Sequence, residues 1–97
     1  MESLIAKYTR FVQENWKGGG NFFKELFLMT SGLMGETGEV IDAMKKEIRD
    51  DVSKRDLIGL ELGDVLYYLV KIADFYGFTL DDLMEMNMKK LNERNAK

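Results

Sequence analysis

Two pairs of acidic residues could do chemistry, because each pair has helical spacing within a segment of otherwise apolar periodicity. Glu36 stands three residues before Glu39, and Glu61 stands three residues before Asp64. Residues three apart lie on one face of a helix, with Cβ atoms roughly 5–6 Å apart. Two such helices, packed together, would direct four carboxylates into one space.

Four inward carboxylates need protons or a cation, since like charges about 5 Å apart repel by roughly 3 kcal/mol per pair at an effective dielectric near 20. Oxygen ligands alone suit Mg²⁺ or Mn²⁺, and Mg²⁺ typically takes further ligands from substrate phosphates. The same spacing at Glu47 and Asp50 is interpreted as a solvated face. Glu61 and Asp64 differ because they interrupt an apolar stripe that includes Tyr68. Structural acids paired with Lys or Arg are the alternative.

Composition narrows the possible chemistry. The chain has 97 residues, a net charge of −3, no Cys and no His. Disulfides, thiol nucleophiles, imidazole ligands and histidine bases are therefore excluded. The negative charge argues against binding to a nucleic acid polymer, and no apolar run approaches the roughly 20 residues that span a membrane. We expect one cytoplasmic domain over residues 1–97, with no signal peptide.

Apolar periodicity predicts four helices, over residues 2–16, 22–48, 54–76 and 79–94. The predicted caps are Asn21, Ser53 with Asp56, Gly77, and Thr79 with Asp82. In the second helix one apolar stripe is predicted from Leu26, Met29, Leu33, Val40, Met44 and Ile48.

Three glycines interrupt the second helix. Gly32, Gly35 and Gly38 each cost about 1 kcal/mol relative to Ala in a helix interior. A helix that keeps them indicates close approach of another backbone or of a ligand, and a break between Ser31 and Gly35 is the alternative.

The third helix is apolar on nearly every side, which is typical of a buried helix. A chain of this size covers only part of it, so we expect another subunit to cover the rest. The predicted fold is an all-α, four- to five-helix bundle completed by homo-oligomerisation, as a homodimer or homotetramer.

The last helix carries Asn87, Lys90 and Arg94 on one face, at spacings of three and four. Two cations and an amide in a row could hold a polyphosphate. A solvated basic face near a helix C-terminus is the alternative. Lys45 and Lys46 permit the same two interpretations.

These three motifs together resemble those of the MazG-like, all-α nucleotide pyrophosphohydrolases. Glu-x-x-Glu occurs at residues 36–39, Glu-x-x-Asp at 61–64, and Asn-x-x-Lys-Leu-x-x-Arg at 87–94, in the family's order. The resemblance covers roughly residues 28–94. Two departures are Gly35, where many relatives have Glu, and Asn95-Ala96-Lys97 in place of a frequent Tyr-Pro.

The resemblance implies a Mg²⁺-dependent enzyme that hydrolyses a nucleoside triphosphate between the α- and β-phosphates. It implies that both acidic pairs hold the metal and that Glu36 or Glu39 is the catalytic base. The residues it assigns to substrate phosphate are Asn87, Lys90 and Arg94.

Base recognition in the family uses side chains outside these motifs. Trp16, Phe22 and Phe23 are candidates for stacking on a base, and core or interface packing is the alternative for each. The rival function is a non-catalytic helical assembly module whose acids only set partner register. Neither the base, the sugar, the number of metal ions nor a house-cleaning or signalling role follows from these residues.

Overall fold

The protein is all-α, as predicted. The computed structural model describes residues 1–96, so Lys97 of the predicted domain lies outside the described residues. No strand occurs among residues 1–96. The four helices are α1 (Leu4–Asn15), α2 (Phe22–Asp50), α3 (Arg55–Phe75) and α4 (Leu80–Asn95).

Local side-chain hydrogen bonds define most helix ends. The Asn21 side chain accepts a hydrogen bond from the Lys24 N–H at 3.1 Å, and Thr79 and Asp82 form a reciprocal capping box. After α3, the Phe78 N–H donates to the Ala73 carbonyl at 2.8 Å, and Gly77 has a φ of 81°. This is the Schellman ending, in which glycine occupies the left-handed position without steric cost. The caps predicted at Asn21, Gly77 and Thr79 are confirmed.

The structure decides two further details of the predicted helices. The alternative of a break after Ser31 is not found, because α2 is continuous from Phe22 to Asp50. The predicted cap at Ser53 with Asp56 is not formed. Ser53 accepts only a long 3.4 Å hydrogen bond from the Arg55 N–H, while the Lys54 N–H donates to the Glu47 carboxylate at 2.8 Å. An acid from the preceding helix therefore satisfies the start of α3.

Asp51 ends α2 in the left-handed region, with a φ of 52°. A non-glycine residue there costs about 1 kcal/mol, so Asp51→Gly should stabilise the protein by about 0.5–1 kcal/mol. The measurement is the urea unfolding midpoint. Asp51→Ala is the control and should not stabilise, because its Cβ meets the same steric restriction. Equal stabilisation by both variants would contradict the backbone explanation.

The chain divides into two compact units. The central unit is Lys17–Leu69, and the terminal unit joins Met1–Trp16 with the part of the chain that begins at Val70. Within the terminal unit α1 packs against α4, and the Gln13 side chain donates to the Asp74 carboxylate at 2.7 Å. The single domain over residues 1–97 stays a prediction.

The apolar positions of α2 do not form one buried stripe. Met29 and Val40 are buried, whereas Met44 and Ile48 are exposed. The single stripe predicted for this helix is therefore buried at some of its positions and exposed at others. The exposed large apolar side chains of α3 are Leu57, Leu60, Leu62 and Leu66.

Candidate metal centre

Three of the four predicted acidic ligands converge within the central unit. Glu36 lies in α2, and Glu61 and Asp64 lie one turn apart in α3. Carboxylate oxygens of these three residues all lie within 4.8 Å of one another. Glu36 and Glu61 are half-buried and Asp64 is exposed, so the group is accessible from solvent. This spacing is compatible with three ligands of a single cation.

Glu39, the fourth predicted ligand, is exposed and is not part of the group of three. Its charge nevertheless contributes to the electrostatic environment of Glu36. Glu39 lies in α2, three residues after Glu36. Its carboxylate is not one of the three that converge.

The pKa of Glu36 is raised above the ordinary value for a glutamate. Desolvation by burial is the largest cause, followed by the negative charges of Asp64, Glu61 and Glu39. Each cause disfavours the ionised form of Glu36. The group as arranged is therefore short of positive charge, and a cation would relieve this.

The stability of the metal-free protein should consequently depend on the ionisation of Glu36. Between the ordinary glutamate pKa and the raised one, the folded chain binds more protons at Glu36 than the unfolded chain does. Raising the pH through this window should therefore lower the free energy of unfolding. Glu36→Gln should remove this component, as measured by urea unfolding in a chelator at several pH values. Identical pH dependence in both proteins would contradict the assignment.

A close approach of α2 and α3 lies next to these acids. A Cβ added to Gly32 would overlap the ring of Tyr68. Gly32 precedes Glu36 by one turn, and Tyr68 follows Asp64 by one turn. A close approach thus occurs at Gly32, but by a side chain instead of the predicted backbone or ligand, and an added Cβ at Gly35 or Gly38 would meet nothing within 4 Å. The sequence placed Tyr68 on the face of Glu61 and Asp64 but did not indicate this contact.

Neighbouring charges on α2 are engaged elsewhere. Lys46 forms an ion pair with Asp42 at 2.9 Å, and its hydrogen bond is the main reason that the pKa of Asp42 is lowered. The Glu47 carboxylate accepts from the Lys54 N–H, and Asp50 pairs with Arg49 at 2.7 Å. Asp42, Glu47 and Asp50, which have the same three-residue spacing as the candidate ligands, therefore have partners outside the carboxylate group.

The remaining predicted site residues lie outside the carboxylate group. Asn87, Lys90 and Arg94 are exposed on α4, in the terminal unit. Lys71 lies over the Trp16 ring, 5.3 Å from its centroid, and Phe22 meets Phe23 edge-on at 5.3 Å between ring centroids. Their participation in substrate binding stays a prediction.

The sequence model of the MazG nucleotide pyrophosphohydrolase domain matches residues 25–97. The chain belongs to this family. The matched segment includes both acidic pairs and the basic face of α4, so the predicted family is confirmed.

The relatives extend the comparison without naming a reaction. The chain is 35% identical to the Gene 37 protein of Mycobacterium phage L5 over 74 residues, which is 71% of this chain and 65% of that protein. It is 30% identical to the uncharacterized protein YvdC of Bacillus subtilis (strain 168) over 101 residues, covering 93% of this chain and 94% of YvdC. The chain thus spans just under two thirds of the phage protein. No solved structure matches it.

The helices were also compared with the requirements of a membrane span. Within residues 1–96, none is both long enough and apolar enough to cross a bilayer.

Proposed function

We propose that this protein is a Mg²⁺-dependent pyrophosphohydrolase that cleaves a nucleoside or deoxynucleoside triphosphate to the monophosphate and pyrophosphate. The convergence of Glu36, Glu61 and Asp64 within 4.8 Å carries the proposal, in a chain of the MazG family. Exposed acids often cluster without a ligand. Here, however, two of the three are half-buried, and the pKa of Glu36 is raised by burial and, to a smaller extent, by the other acids.

The donor set fits a hard cation. All three residues offer carboxylate oxygen, and the chain has no His or Cys to favour a softer metal. Glu36, Glu61 and Asp64 would hold Mg²⁺ or Mn²⁺. When bound, the ion supplies charge neutralisation at phosphate oxygens and lowers the pKa of water.

Glu39 is the carboxylate that we assign as the general base. It lies one turn after Glu36, does not belong to the group of three, and is exposed. In the proposed step Glu39 accepts a proton from water as the water oxygen attacks a phosphorus atom flanking the α–β bridge. The bond from that phosphorus to the bridging oxygen breaks, and the oxygen leaves with the other phosphoryl group.

Phosphate binding is assigned to the exposed face of α4. Asn87, Lys90 and Arg94 offer an amide and two cations along one helical face, which suits successive phosphate groups. The stacking role of Trp16, Phe22 and Phe23 is proposed with them, since Phe22 and Phe23 are exposed and Trp16 is half-buried.

Lys90→Ala should weaken triphosphate binding by roughly 10- to 100-fold, the usual effect of losing a hydrogen bond between charged groups. Lys89→Ala is the matched control, because Lys89 is also exposed and lies one residue away on another face of α4. Titration calorimetry with a slowly hydrolysed triphosphate analogue measures both. Equal affinities for wild type and Lys90→Ala would assign Lys90 to a solvated basic face.

The same proposal includes self-association. Leu57, Leu60, Leu62 and Leu66 of α3 are between 37% and 71% exposed in the single chain. Exposed apolar side chains of this size often mark sites of association with another protein. We therefore propose a homodimer or homotetramer.

Hydrolysis of a panel of triphosphates tests the activity. Canonical, deoxy and modified nucleotides are incubated with Mg²⁺ or Mn²⁺, and pyrophosphate and phosphate are detected separately. We expect pyrophosphate and a monophosphate from at least one substrate. Release of single phosphate would refute the cleavage position. Absence of hydrolysis, together with melting unchanged by metal, would refute the enzyme and favour the helical assembly module.

A further inference from the structure

Four polar and aromatic side chains meet where the end of α1 lies against the end of α3. The Gln13 amide donates to the Asp74 carboxylate at 2.7 Å, and the Lys71 ammonium lies 5.3 Å from the centroid of the Trp16 ring. The members of each helix are three residues apart, so the two contacts lie about one turn apart. We call these four residues the α1–α3 quartet. All of them belong to the terminal unit.

The quartet combines the chemical groups that recognise a nucleobase. It holds an aromatic ring, an ammonium donor and a carboxylate acceptor, and Trp16, Lys71 and Asp74 are half-buried. Proteins that read a single base stack it on an aromatic side chain and bind its Watson–Crick edge with hydrogen bonds. A base stacked on Trp16 is part of the proposed function, and the neighbouring polar groups could distinguish one base from another.

The position of Lys71 over the Trp16 ring does not prevent stacking. A cation–π contact at a solvent-accessible site is weaker than the stacking of a base on an aromatic ring. The lysine side chain is flexible and carries three N–H donors, so a base can displace the ammonium from the ring and then accept a hydrogen bond from it. Lys71 therefore favours a base with a carbonyl oxygen beside the ring.

Asp74 adds a more selective requirement. A carboxylate has two oxygens with about four acceptor positions, and the Gln13 amide uses one of them at Oδ1. The remaining positions suit a base edge with two adjacent donors. Among the common bases, guanine alone presents this pair, as N1–H and the 2-amino group, and its O6 carbonyl lies next to them.

The other common bases would place lone pairs against the Asp74 carboxylate. Cytosine and adenine carry an unprotonated ring nitrogen next to the amino group. Uracil and thymine carry a carbonyl oxygen on each side of N3–H. A carboxylate that faces an acceptor loses hydration without gaining a hydrogen bond, which disfavours these bases.

We propose that the α1–α3 quartet selects guanine nucleotides. Guanine stacks on Trp16, donates from N1–H and the 2-amino group to Asp74, and accepts at O6 from Lys71. Gln13 holds the Asp74 carboxylate in place through its existing hydrogen bond. The inference rests on the proposed function and names its substrate class.

The fluorescence of Trp16 measures this binding directly, because the chain contains a single tryptophan. The probes are the α,β-methylene triphosphate analogues of guanosine, inosine, adenosine, cytidine and uridine, each titrated with Mg²⁺. Guanosine should bind about tenfold or more tightly than inosine, which differs only in lacking the 2-amino group. The other three analogues should bind more weakly than guanosine as well.

Two substitutions separate the roles within the quartet. Asp74→Asn should make the affinities for guanosine and inosine equal within about threefold, because an amide accepts at only one of its two ends. Lys71→Met should weaken both analogues by about tenfold and leave their ratio unchanged, since both bases carry O6. Asp81→Asn is the control for Asp74→Asn, because Asp81 is exposed on α4 outside the quartet, and it should keep the preference for guanosine.

The affinity ratio distinguishes recognition from a structural role, since a quartet that only joined α1 to α3 would change the melting temperature and not the ratio. Selective quenching by the guanosine analogue, lost in Asp74→Asn alone, supports the proposal. Equal affinities of the wild type for guanosine and inosine, a preference retained in Asp74→Asn, or no binding of any analogue would overturn it. Hydrolysis is measured separately: guanosine selectivity without hydrolysis would refute the enzyme alone, and hydrolysis without selectivity would refute the guanine site alone.

Discussion

Glu61→Gln should abolish the response of this protein to Mg²⁺ and lower nucleotide hydrolysis by about a hundredfold or more. The substitution keeps the size of the side chain but removes its charge from the group formed with Glu36 and Asp64. A metal present at a hundred times its dissociation constant stabilises the folded state by about 2.7 kcal/mol. Thermal unfolding of wild type with and without Mg²⁺ should therefore differ, and that of Glu61→Gln should not.

In the absence of metal, Glu61→Gln should have the opposite effect on stability and should raise the free energy of unfolding. Glu61 is one of the charges that raise the pKa of Glu36, so its neutralisation relieves repulsion and should stabilise the metal-free protein. Glu85→Gln is the matched control, because Glu85 is exposed on α4 and outside the carboxylate group. It should preserve the metal response. Retention of that response in Glu61→Gln would favour structural acids over a metal centre.

The spacing within each helix was predictable, whereas the meeting of the two helices was not. Three-residue spacing places Glu61 and Asp64 on one face whatever lies opposite. Which acid of α2 approaches them depends on the relative position of the helices, and three-residue spacing leaves this open. The structure brings Glu36 into the group and leaves Glu39 outside it.

Helix ends show the same division between local and distant contacts. Asn21 and Thr79 were predictable because each bonds to a backbone group three residues away. The start of α3 was not, because the Lys54 N–H there donates to Glu47, which lies in the preceding helix. A cap supplied from outside the local segment has no local sequence pattern.

The sequence alone did not show which apolar residues of α2 are buried. Apolar residues occur around much of the helix, so periodicity merged Met29 with Met44 in one stripe. Met44 is exposed and Met29 is buried, although both belong to the predicted stripe. The sequence predicted a missing partner from α3, and the structure shows exposed apolar residues on α2 as well.

Gly32→Ala should destabilise the protein by about 1–3 kcal/mol, although alanine favours a helix by about 1 kcal/mol over glycine. The added Cβ would overlap the Tyr68 ring, so the ring or α3 must move. Because Tyr68 follows Asp64 by one turn, this movement should also separate the carboxylates. Metal affinity should therefore fall together with stability, as measured by urea unfolding and by the Mg²⁺ dependence of melting.

Gly35→Ala provides the opposite result in the same helix. An added Cβ at Gly35 meets nothing within 4 Å, so the higher helix propensity of alanine should stabilise the protein by about 1 kcal/mol. If the Tyr68 ring causes the effect at Gly32, then Gly32→Ala/Tyr68→Ala should be less destabilised than the sum of its single substitutions. Stabilisation by Gly32→Ala, or strict additivity in the double variant, would show that this contact does not set the approach of α2 and α3. Opposite signs at two glycines three residues apart would instead establish that the contact positions the acids.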